Sequence, residues 1–329
     1  MGALAQYAFV VHRIPVGVFG ASGYAGRELC ALINAHPQLE LAYATANAQR
    51  GDRAWLGGRE VTFVATDDAP IRDAELVFSA LPHGASAEWI ARARGEGVRA
   101  IDLSSDLRPG HTTQEIPYGL TEVAREQLRG AEVIANPGCY PTAILLSLMP
   151  LLSRGLVKPG STIVVDAASG VTGAGNSPKP ELLFGEVTEN YRAYGVGNEH
   201  RHLPEMRALV DSFEPDADLL FTPHLLPVAR GILATTTVQL TEEIDQPLAL
   251  WHEHFAGERF IEISGDLPAL RDVVRRNAVR ITVRKAAGLR TPTLIVLSAI
   301  DNLVKGAAGQ ALQNANLALN LAEGLGLPL

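Results

Sequence analysis

One cysteine stands where a thiol could act as a nucleophile. Cys139 lies in the segment Asn-Pro-Gly-Cys-Tyr-Pro-Thr (136–142), directly before the apolar run 143–152. Proline suits the start of a helix, so we expect Pro141 to be the first helical residue and Cys139 to lie at the helix N-terminus. Free N–H groups and the positive end of the helix dipole stabilise a thiolate there. The sequence therefore predicts an easily ionised, nucleophilic Cys139, with a buried structural cysteine as the alternative.

Two histidines could supply the proton transfers that a cysteine nucleophile needs. His200 and His202 lie in the segment Gly-Asn-Glu-His-Arg-His-Leu-Pro-Glu (197–205). Pro204 disfavours helical backbone before it, so we expect an extended segment in which side chains two residues apart share a face. His202 is then the predicted general acid/base. A metal site is the alternative, but no suitably spaced third ligand accompanies the pair, so no metal is expected.

A glycine-rich turn near the start of the chain indicates a nucleotide site. The apolar run 14–19 leads into Gly-Ala-Ser-Gly-Tyr-Ala-Gly (20–26), and residues 27–33 follow with helical apolar spacing. A strand, a tight turn and a helix in this order bring backbone N–H groups to a pyrophosphate. An ordinary strand-to-helix turn is the alternative. Cys30 falls on the apolar face of the helix and is interpreted as core packing.

The residues after the second predicted strand, 39–45, bear on the type of nucleotide. No Asp or Glu follows this strand to bind a ribose 2′-hydroxyl, and the chain reads Thr-Ala-Asn-Ala-Gln-Arg (45–50). Neutral donors and the Arg50 guanidinium suit a 2′-phosphate, which favours NADP(H). A solvated loop arginine is the alternative interpretation of Arg50.

Two further β-type runs, 76–80 and 100–103, flank a helical stretch at 85–94 and continue the alternation of a parallel sheet. The loops that follow them, 81–84 and 104–108, should lie at the edge where ligands bind. Arg108 could bind a phosphate or carboxylate there. Its alternative role is a surface arginine paired with Asp106.

The second half of the chain predicts more β structure. Residues 166–175 indicate a strand end that runs into a loop whose backbone donors could hold a small anion. Residues 221–230 and 231–240 indicate further sheet, and residues 301–309 lead into a small-residue helix through Ala322. His252 and His254 fall in a helical stretch and are interpreted as structural.

Length and composition set the bounds of these interpretations. With 329 residues, 47% hydrophobic and 19% charged, the sequence predicts a globular protein of two domains, or of one large α/β unit with an insertion. A net charge of -8 gives no electrostatic reason to expect a nucleic acid or an anionic membrane as partner. No apolar run approaches the ~20 residues that span a bilayer. Residues 1–13 are interpreted as a ragged extension, which favours a cytoplasmic location.

Taken together, the motifs resemble the N-acetyl-gamma-glutamyl-phosphate reductase family, a relative of aspartate-semialdehyde dehydrogenase. The resemblance rests on six segments: 20–26, 136–142, 169–175, 200–205, 223–232 and 301–311. It implies an α/β fold with a Rossmann-type parallel-sheet NADP-binding domain, formed by 1–139 and 305–329. The same resemblance implies an α+β catalytic and oligomerisation domain, 140–304, with a mostly antiparallel sheet, and a homodimer or homotetramer.

The resemblance also implies an activity and a set of site residues. The activity is NADPH-dependent reduction of N-acetyl-L-glutamyl 5-phosphate through a thioester on Cys139, with His202 as acid/base. The expected substrate contacts are Arg108, Asn136, Ser169, Gly170, His200 and Glu205. The expected cofactor contacts are Gly20, Ser22, Gly23, Tyr24, Ala25, Thr45, Arg50, Pro82, Gly173 and Asn302. Where the family often has Lys before the serine of the 169–175 loop, this chain has Ala168, which removes a possible phosphate-binding cation.

Two other functions remain open from the sequence. The reductase of carrier-protein-linked aminoadipyl phosphate in lysine biosynthesis shares the scaffold, although the segment 136–142 resembles the arginine branch more closely. A non-catalytic NADP-binding sensor is the other alternative, and the retention of Cys139 together with both histidines of 200–205 argues against it. Aspartate-semialdehyde dehydrogenase fits less well because its histidine context differs.

Overall fold

The computed structural model describes residues 13–329, so all but the last residue of the expected N-terminal extension lies outside the described residues. The strands are β1 Ile14–Phe19, β2 Leu39–Ala44, β3 Arg53–Leu56, β4 Arg59–Thr62, β5 Leu76–Ser79, β6 Arg99–Asp102, β7 Val133–Ala135, β8 Thr162–Gly170, β9 Arg192–Ala193, β10 Asp218–Leu226, β11 Ile232–Gln239, β12 Ile261–Ile263, β13 Val279–Lys285 and β14 Thr293–Ile300. The α-helices are α1 Tyr24–Ala35, α2 Ser86–Gly95, α3 Thr121–Leu128, α4 Cys139–Leu152, α5 Phe184–Val187, α6 Leu203–Phe213, α7 Pro247–His254, α8 Leu270–Val273 and α9 Gly309–Ala318.

The first sheet is parallel and has the order β2-β1-β5-β6-β7. The chain order reverses between β1 and β5, and ligands bind outside the carboxyl ends of strands at such a switch point. The turn 20–26 follows β1, and residues 80–84 follow β5. The topology therefore places the glycine-rich turn at the edge where a nucleotide is expected.

Helix α9 completes the core of this first sheet, although it comes from the far end of the chain. All of its residues are buried, and Ala311, Leu312 and Ala315 belong to the same apolar cluster as Ile33 of α1. The helix ends at Ala318, before the predicted Ala322. Asn320 adopts a positive φ of 58° shortly after this end, a conformation that commonly terminates helices.

The second sheet has seven strands in the order β12-β13-β14-β11-β8-β10-β9. Its β8–β10 and β12–β13 pairs are parallel, and the other neighbouring pairs are antiparallel. Helix α4 packs on this sheet and buries every residue except Cys139. Trp251 of α7 is fully buried and donates from Nε1 to the Ser147 carbonyl at 3.0 Å. The predicted fold class is confirmed.

The predicted domain division falls at two places close to each other in space. The boundary 139/140 lies at the start of α4, and the boundary 304/305 lies inside a π-helical turn, Val304–Ala308. A Cβ atom on Gly306 of that turn would come within 2.8 Å of the Cys139 Cβ, so the two boundaries meet. The division itself stays a prediction. No helix within residues 13–329 is long and apolar enough to cross a bilayer.

Candidate active site

A cavity of about 400 Å³ lies at the carboxyl edge of the parallel sheet. Its wall is formed by the glycine-rich turn, the loops after β5, β6 and β7, and the segments 172–177, 201–202, 302–303 and 306–307. The volume suits a small-molecule site. Both sheets therefore contribute to one cavity.

The glycine-rich turn has the geometry that a dinucleotide requires. Gly20 has a φ of 74°, and a Cβ there would lie 2.6 Å from the Ala80 carbonyl oxygen. A Cβ on Gly26 would lie 2.4 Å from the Gly20 oxygen, whereas a Cβ on Gly23 would make only an ordinary contact with that oxygen, at 3.8 Å. Gly23 caps α1 without a side-chain hydrogen bond, so first-turn N–H groups are available to an anion. These residues fit a pyrophosphate.

The expected cofactor contacts fall into two groups. Those on the cavity wall are Gly20, Ser22, Gly23, Tyr24, Ala25, Pro82, Gly173 and Asn302. Thr45 is buried away from the wall, where its Oγ1 accepts from the Gly20 N–H at 3.2 Å and lies 3.1 Å from the Thr66 Oγ1. Thr45 thus shapes the turn from behind. Arg50 is exposed in the turn before β3 and is not on the wall, so its role stays a prediction.

Cys139 is the first residue of α4 and faces the cavity. The helix begins two residues earlier than predicted, because Pro141 fits anywhere in the first turn, where N–H groups have no helical partner. The expectation of an easily ionised thiol is wrong for this structure. Burial raises the pKa of the Cys139 thiol, although the charges of Arg201 and Arg108 oppose the rise. The thiol is therefore protonated at neutral pH because desolvation outweighs the helix terminus.

His202 lies beside the N-cap of that helix. It is 4% exposed, and its Nε2 would lie 2.7 Å from a Cβ on Gly138. Burial, reinforced by the charge of Arg108, lowers the pKa of His202 well below its usual range. The imidazole is therefore neutral and can accept a proton. The Nδ1 atom of His202 is buried without a hydrogen-bond partner within the described residues.

The predicted extended backbone at 200–202 is wrong. His202 has helical dihedrals, φ -84° and ψ -6°, and the Leu203 N–H donates to the His200 carbonyl at 2.9 Å. The segment is a turn because α6 begins at Leu203 and accommodates Pro204 in its first turn. The two imidazole rings still lie close together, with centroids 4.9 Å apart. The backbone N–H of His202 donates to the His200 Nδ1 at 3.1 Å. His200 therefore supports His202 from outside the cavity wall.

Glu205 holds the loop before the nucleophile. Its Oε1 accepts from the Gly138 N–H at 2.8 Å and from the Tyr118 hydroxyl at 2.7 Å, and its Oε2 accepts from the Arg108 Nη1 at 3.1 Å. Glu205 is fully buried and does not reach the cavity, contrary to the expected substrate contact. Both of its carboxylate oxygens are already bonded to protein donors. Glu205 is accordingly a positioning residue.

Arg108 lies on the cavity wall, but each of its guanidinium nitrogens donates to the protein. Nε donates to the Asn136 carbonyl at 2.8 Å and Nη2 to the Leu103 carbonyl at 2.7 Å, in addition to the Glu205 contact. The alternative partner Asp106 instead accepts from the Gly84 and Ser86 N–H groups. Arg108 therefore links the loop after β6 to α6 and to the loop 136–138 before Cys139, called the nucleophile loop below.

The remaining expected substrate contacts differ in position. Asn136 lies on the wall, and its Oδ1 accepts from the Asn314 Nδ2 at 2.9 Å. Ser169 and Gly170 are buried and do not line the cavity. The predicted loop begins only after Gly170, because β8 pairs with β10 as far as that residue. Backbone pairing on both sides of Ser169 thus makes it part of β8 and not of the loop, and its substrate contact stays a prediction.

Arg201 is a charged cavity residue that is absent from the expected contacts. An extended segment would point residue 201 away from His200 and His202, whereas the observed turn brings Arg201 to the wall beside His202. Its charge lowers the pKa of Cys139 and of both histidines. The signal in the sequence was a cation between two histidines. Across the part of the chain that the structure describes, no group of three or more potential metal ligands comes together.

Family models match both halves of the chain. Residues 15–131 match the model described as semialdehyde dehydrogenase, NAD binding domain, and residues 139–302 match semialdehyde dehydrogenase, dimerisation domain. The chain is similar to the N-acetyl-gamma-glutamyl-phosphate reductase of Laribacter hongkongensis, with 39% identity over 96% of this chain and 98% of that protein. It is also similar to the enzyme of the same name from Desulforudis audaxviator, with 40% identity over 95% of this chain and 98% of that protein.

Two solved structures share the fold. Aspartate semialdehyde dehydrogenase II from Vibrio cholerae, complexed with ASA, has a TM-score of 0.76 and 20% identity, over 94% of this chain and 99% of that chain. Aspartate semialdehyde dehydrogenase from Candida albicans with NADP has a TM-score of 0.65 and 14% identity, over 93% and 98% of the two chains. Identities this low establish the common fold alone.

Proposed function

This chain belongs to the N-acetyl-gamma-glutamyl-phosphate reductase family, and we propose from this premise that it reduces N-acetyl-L-glutamyl 5-phosphate to N-acetyl-L-glutamate 5-semialdehyde and phosphate in arginine biosynthesis. It is an oxidoreductase of the NADP-dependent kind. The observation that carries the proposal is that Cys139 and His202 border one cavity with the glycine-rich turn. Nucleophile, proton acceptor and nucleotide site are thereby within reach of a single substrate.

The cofactor would be held by the turn between β1 and α1. The first-turn N–H groups of α1 suit the pyrophosphate, and Pro82 and Asn302 border the same cavity as Cys139. NADPH, when bound, supplies the hydride that reduces the acyl group. The match of residues 15–131 to the model described as semialdehyde dehydrogenase, NAD binding domain, supports a nicotinamide nucleotide at this turn.

The first chemical step forms a thioester on Cys139. The sulfur attacks the acyl carbon of the mixed anhydride while the neutral His202 takes up the thiol proton. The new C–S bond forms, the bond between the acyl carbon and the phosphate oxygen breaks, and phosphate leaves with that electron pair. Burial favours the neutral thiol and the neutral imidazole, so His202 is available as the acceptor of the thiol proton.

The second half of the reaction releases the aldehyde. Reduction of the thioester leaves a thiohemiacetal oxyanion, and its electron pair forms the aldehyde carbonyl as the C–S bond breaks. The sulfur leaves as thiolate and recovers its proton from His202. Glu205 and Arg108 hold Gly138 in place throughout, so the attacking sulfur keeps its direction.

We further propose a homo-oligomer, dimer or tetramer, that works in the cytoplasm on a small-molecule substrate. The family model over residues 139–302, described as a dimerisation domain, supports the assembly. The net charge of -8 supports the absence of a nucleic-acid partner.

The reverse reaction tests the proposed function. Purified protein is mixed with NADP⁺, inorganic phosphate and N-acetylglutamate 5-semialdehyde, and NADPH formation is followed. We expect phosphate-dependent turnover that is much faster than with the carrier-linked aminoadipate semialdehyde. Preference for the aminoadipate substrate would assign the chain to lysine biosynthesis. Cofactor binding without turnover on either substrate would indicate a sensor.

A further inference from the structure

Two arginines border the cavity beside Cys139, and they differ in what they contact. The Arg108 side chain is 4% exposed, and all three of its nitrogens donate to the protein, one of them to the Glu205 carboxylate. Its charge is thus largely compensated, and its geometry is fixed. Each terminal nitrogen of Arg108 keeps one further N–H, but the position and charge of the guanidinium are already committed to Glu205 and the two carbonyls.

Arg201 is exposed to the cavity, and its guanidinium makes no hydrogen bond or ion pair with another group in residues 13–329. Its main chain is held, because its carbonyl accepts from the His111 Nε2 at 3.1 Å and its neighbours form the turn before α6. A fixed backbone with an uncommitted guanidinium is what an anion-binding arginine needs.

The groups around Arg201 leave its charge uncompensated. The charges that act together on the nearby thiol come from Arg201, Arg108 and Glu205, and Glu205 already pairs with Arg108. The imidazoles of His83, His200 and His202 also feel Arg201 and remain neutral at pH 7, because burial lowers their pKa values. No carboxylate in residues 13–329 forms an ion pair with Arg201, so its guanidinium is available to an anionic ligand in the cavity.

We propose that Arg201 binds the phosphoryl group of the substrate as it leaves, while Arg108 positions the nucleophile loop. The identity of the anion rests on the proposed function. In an acyl phosphate the phosphorus is two bonds from the carbon that Cys139 attacks, whereas the α-carboxylate of a glutamyl group is four bonds away. A guanidinium whose charge reaches the thiol is placed for the nearer anion. In a protein of net charge -8, this local cation attracts a phosphate that the overall charge does not.

In the reverse reaction, phosphate and the carboxylate belong to two different substrates, so the binding of each can be measured separately. Phosphate and semialdehyde are varied independently for wild type, Arg201→Met and Arg201→Lys. We expect Arg201→Met to raise the KM for phosphate roughly 10–100-fold, as loss of a charged hydrogen bond implies, and to change the KM for semialdehyde less than about threefold. Arg201→Lys should fall between, because lysine keeps the charge but not the planar donor pair.

A matched control is Arg207→Ala, which removes the same charge from a surface position of α6 that pairs with Asp211 and Asp218. It should leave both KM values unchanged. A rise in the KM for semialdehyde without a rise for phosphate would assign Arg201 to the carboxylate and overturn the proposal. Unchanged KM values for Arg201→Met would overturn it as well.

Inorganic phosphate alone gives a second readout that does not depend on turnover. The rate of Cys139 alkylation by iodoacetamide is measured in the NADP⁺ complex with and without phosphate. Phosphate should protect wild type and Arg207→Ala but not Arg201→Met. Equal protection of all three would contradict an Arg201 site. Arg201-dependent protection in a protein that does not oxidise N-acetylglutamate semialdehyde would refute the proposed function and leave the phosphate site intact.

Discussion

Glu205 and Arg108 lie 97 residues apart in the chain and form an ion pair, with 3.1 Å between Oε2 and Nη1. The Glu205 and Arg108 side chains are 0% and 4% exposed. The pair joins the loop after β6 to α6, and the other Glu205 oxygen holds the N–H of the residue before the nucleophile. The direction of the Cys139 side chain therefore depends on a buried contact between the two halves of the protein.

Replacement of this carboxylate should cost both stability and activity. Glu205→Gln leaves the buried Arg108 without a counter-charge, and loss of one member of such a pair typically costs about 3–5 kcal/mol. The free energy of unfolding is measured in urea. Glu199→Gln, an exposed position in the same segment, is the control and should change stability by less than about 0.5 kcal/mol. Equal stabilities for the two variants would contradict the role of the pair.

The nucleophile is tested with Cys139→Ser. A serine oxygen is a weaker nucleophile than the cysteine sulfur, and an alkoxide is a poorer leaving group than a thiolate, so turnover should fall by at least about 10³-fold, with NADPH affinity retained. Steady-state rates and NADPH titration by fluorescence measure the two properties. Cys30→Ala is the control. Burial raises the pKa of the Cys30 thiol to about 12, so Cys30 is inert and the variant should keep its kcat.

Substitution of His202 and of His200 should affect kcat to different extents. His202→Asn should lower kcat about 10²–10⁴-fold, because the proton acceptor beside Gly138 is lost. His200→Asn should have a smaller effect on kcat, since an Asn side-chain oxygen can still accept the His202 N–H that the His200 Nδ1 accepts now. Steady-state kinetics across pH compare them. A kcat loss confined to His200→Asn would transfer the proton role to His200.

Cofactor preference is tested at Arg50. NADPH should be preferred to NADH, and Arg50→Ala should reduce the preference roughly 10-fold or more through the KM of NADPH, as loss of a charged hydrogen bond of about 1.5–3 kcal/mol implies. Arg53→Ala removes the same charge from β3, where Arg53 pairs with Glu60, and serves as the control. Equal use of NADH by the wild type would refute the interpretation of this turn.

Stability should fall as the pH decreases from 7 to 5. His36 is fully buried, and its Nδ1 accepts the N–H groups of Gln38 and Leu39. Burial lowers the pKa of His36, so the unfolded chain binds a proton near pH 6.5 while the folded chain does not. The contribution of His36 to the free energy of unfolding is fully present above pH 6.5. Below that pH it declines by up to about 1.4 kcal/mol per pH unit.

His36→Asn isolates this contribution. The Asn Oδ1 can accept the same N–H groups but does not become protonated, so urea midpoints for the variant should depend less on pH than those of wild type. Parallel pH dependences would show that His36 is protonated to the same extent in both states.

The nucleotide end of the site could be predicted from sequence because its signals are local. The glycines of 20–26, the strand before them and the helix after them are neighbours in the chain, and the structure retains that order. The positive φ at Gly20 and the close backbone approach at Gly26 both require glycine. The residues that allow this turn can therefore be recognised in the sequence.

The part of the site around Cys139 depends on contacts between residues far apart in the chain, and local sequence patterns do not reveal such contacts. The sequence shows that Cys139 lies at a helix terminus, which favours a lower pKa of the thiol. It does not show how deeply the thiol is buried, and burial has the larger effect on its pKa. Arg201 was missed because a two-residue spacing was interpreted as extended backbone, whereas the chain turns into α6. Ser169 appeared to lie in a loop because the partners that extend β8 come from distant strands.

Helix α9 has a consequence for synthesis on the ribosome. Residues 13–135 contain every strand of the parallel sheet, but Ala311 and Leu312 of α9 complete its apolar core. At about 5–20 residues per second, these residues follow β7 only after roughly 10–40 s of further elongation. During that interval part of the sheet's apolar surface stays uncovered on the nascent chain, and the N-terminal half requires protection from aggregation until the last helix emerges.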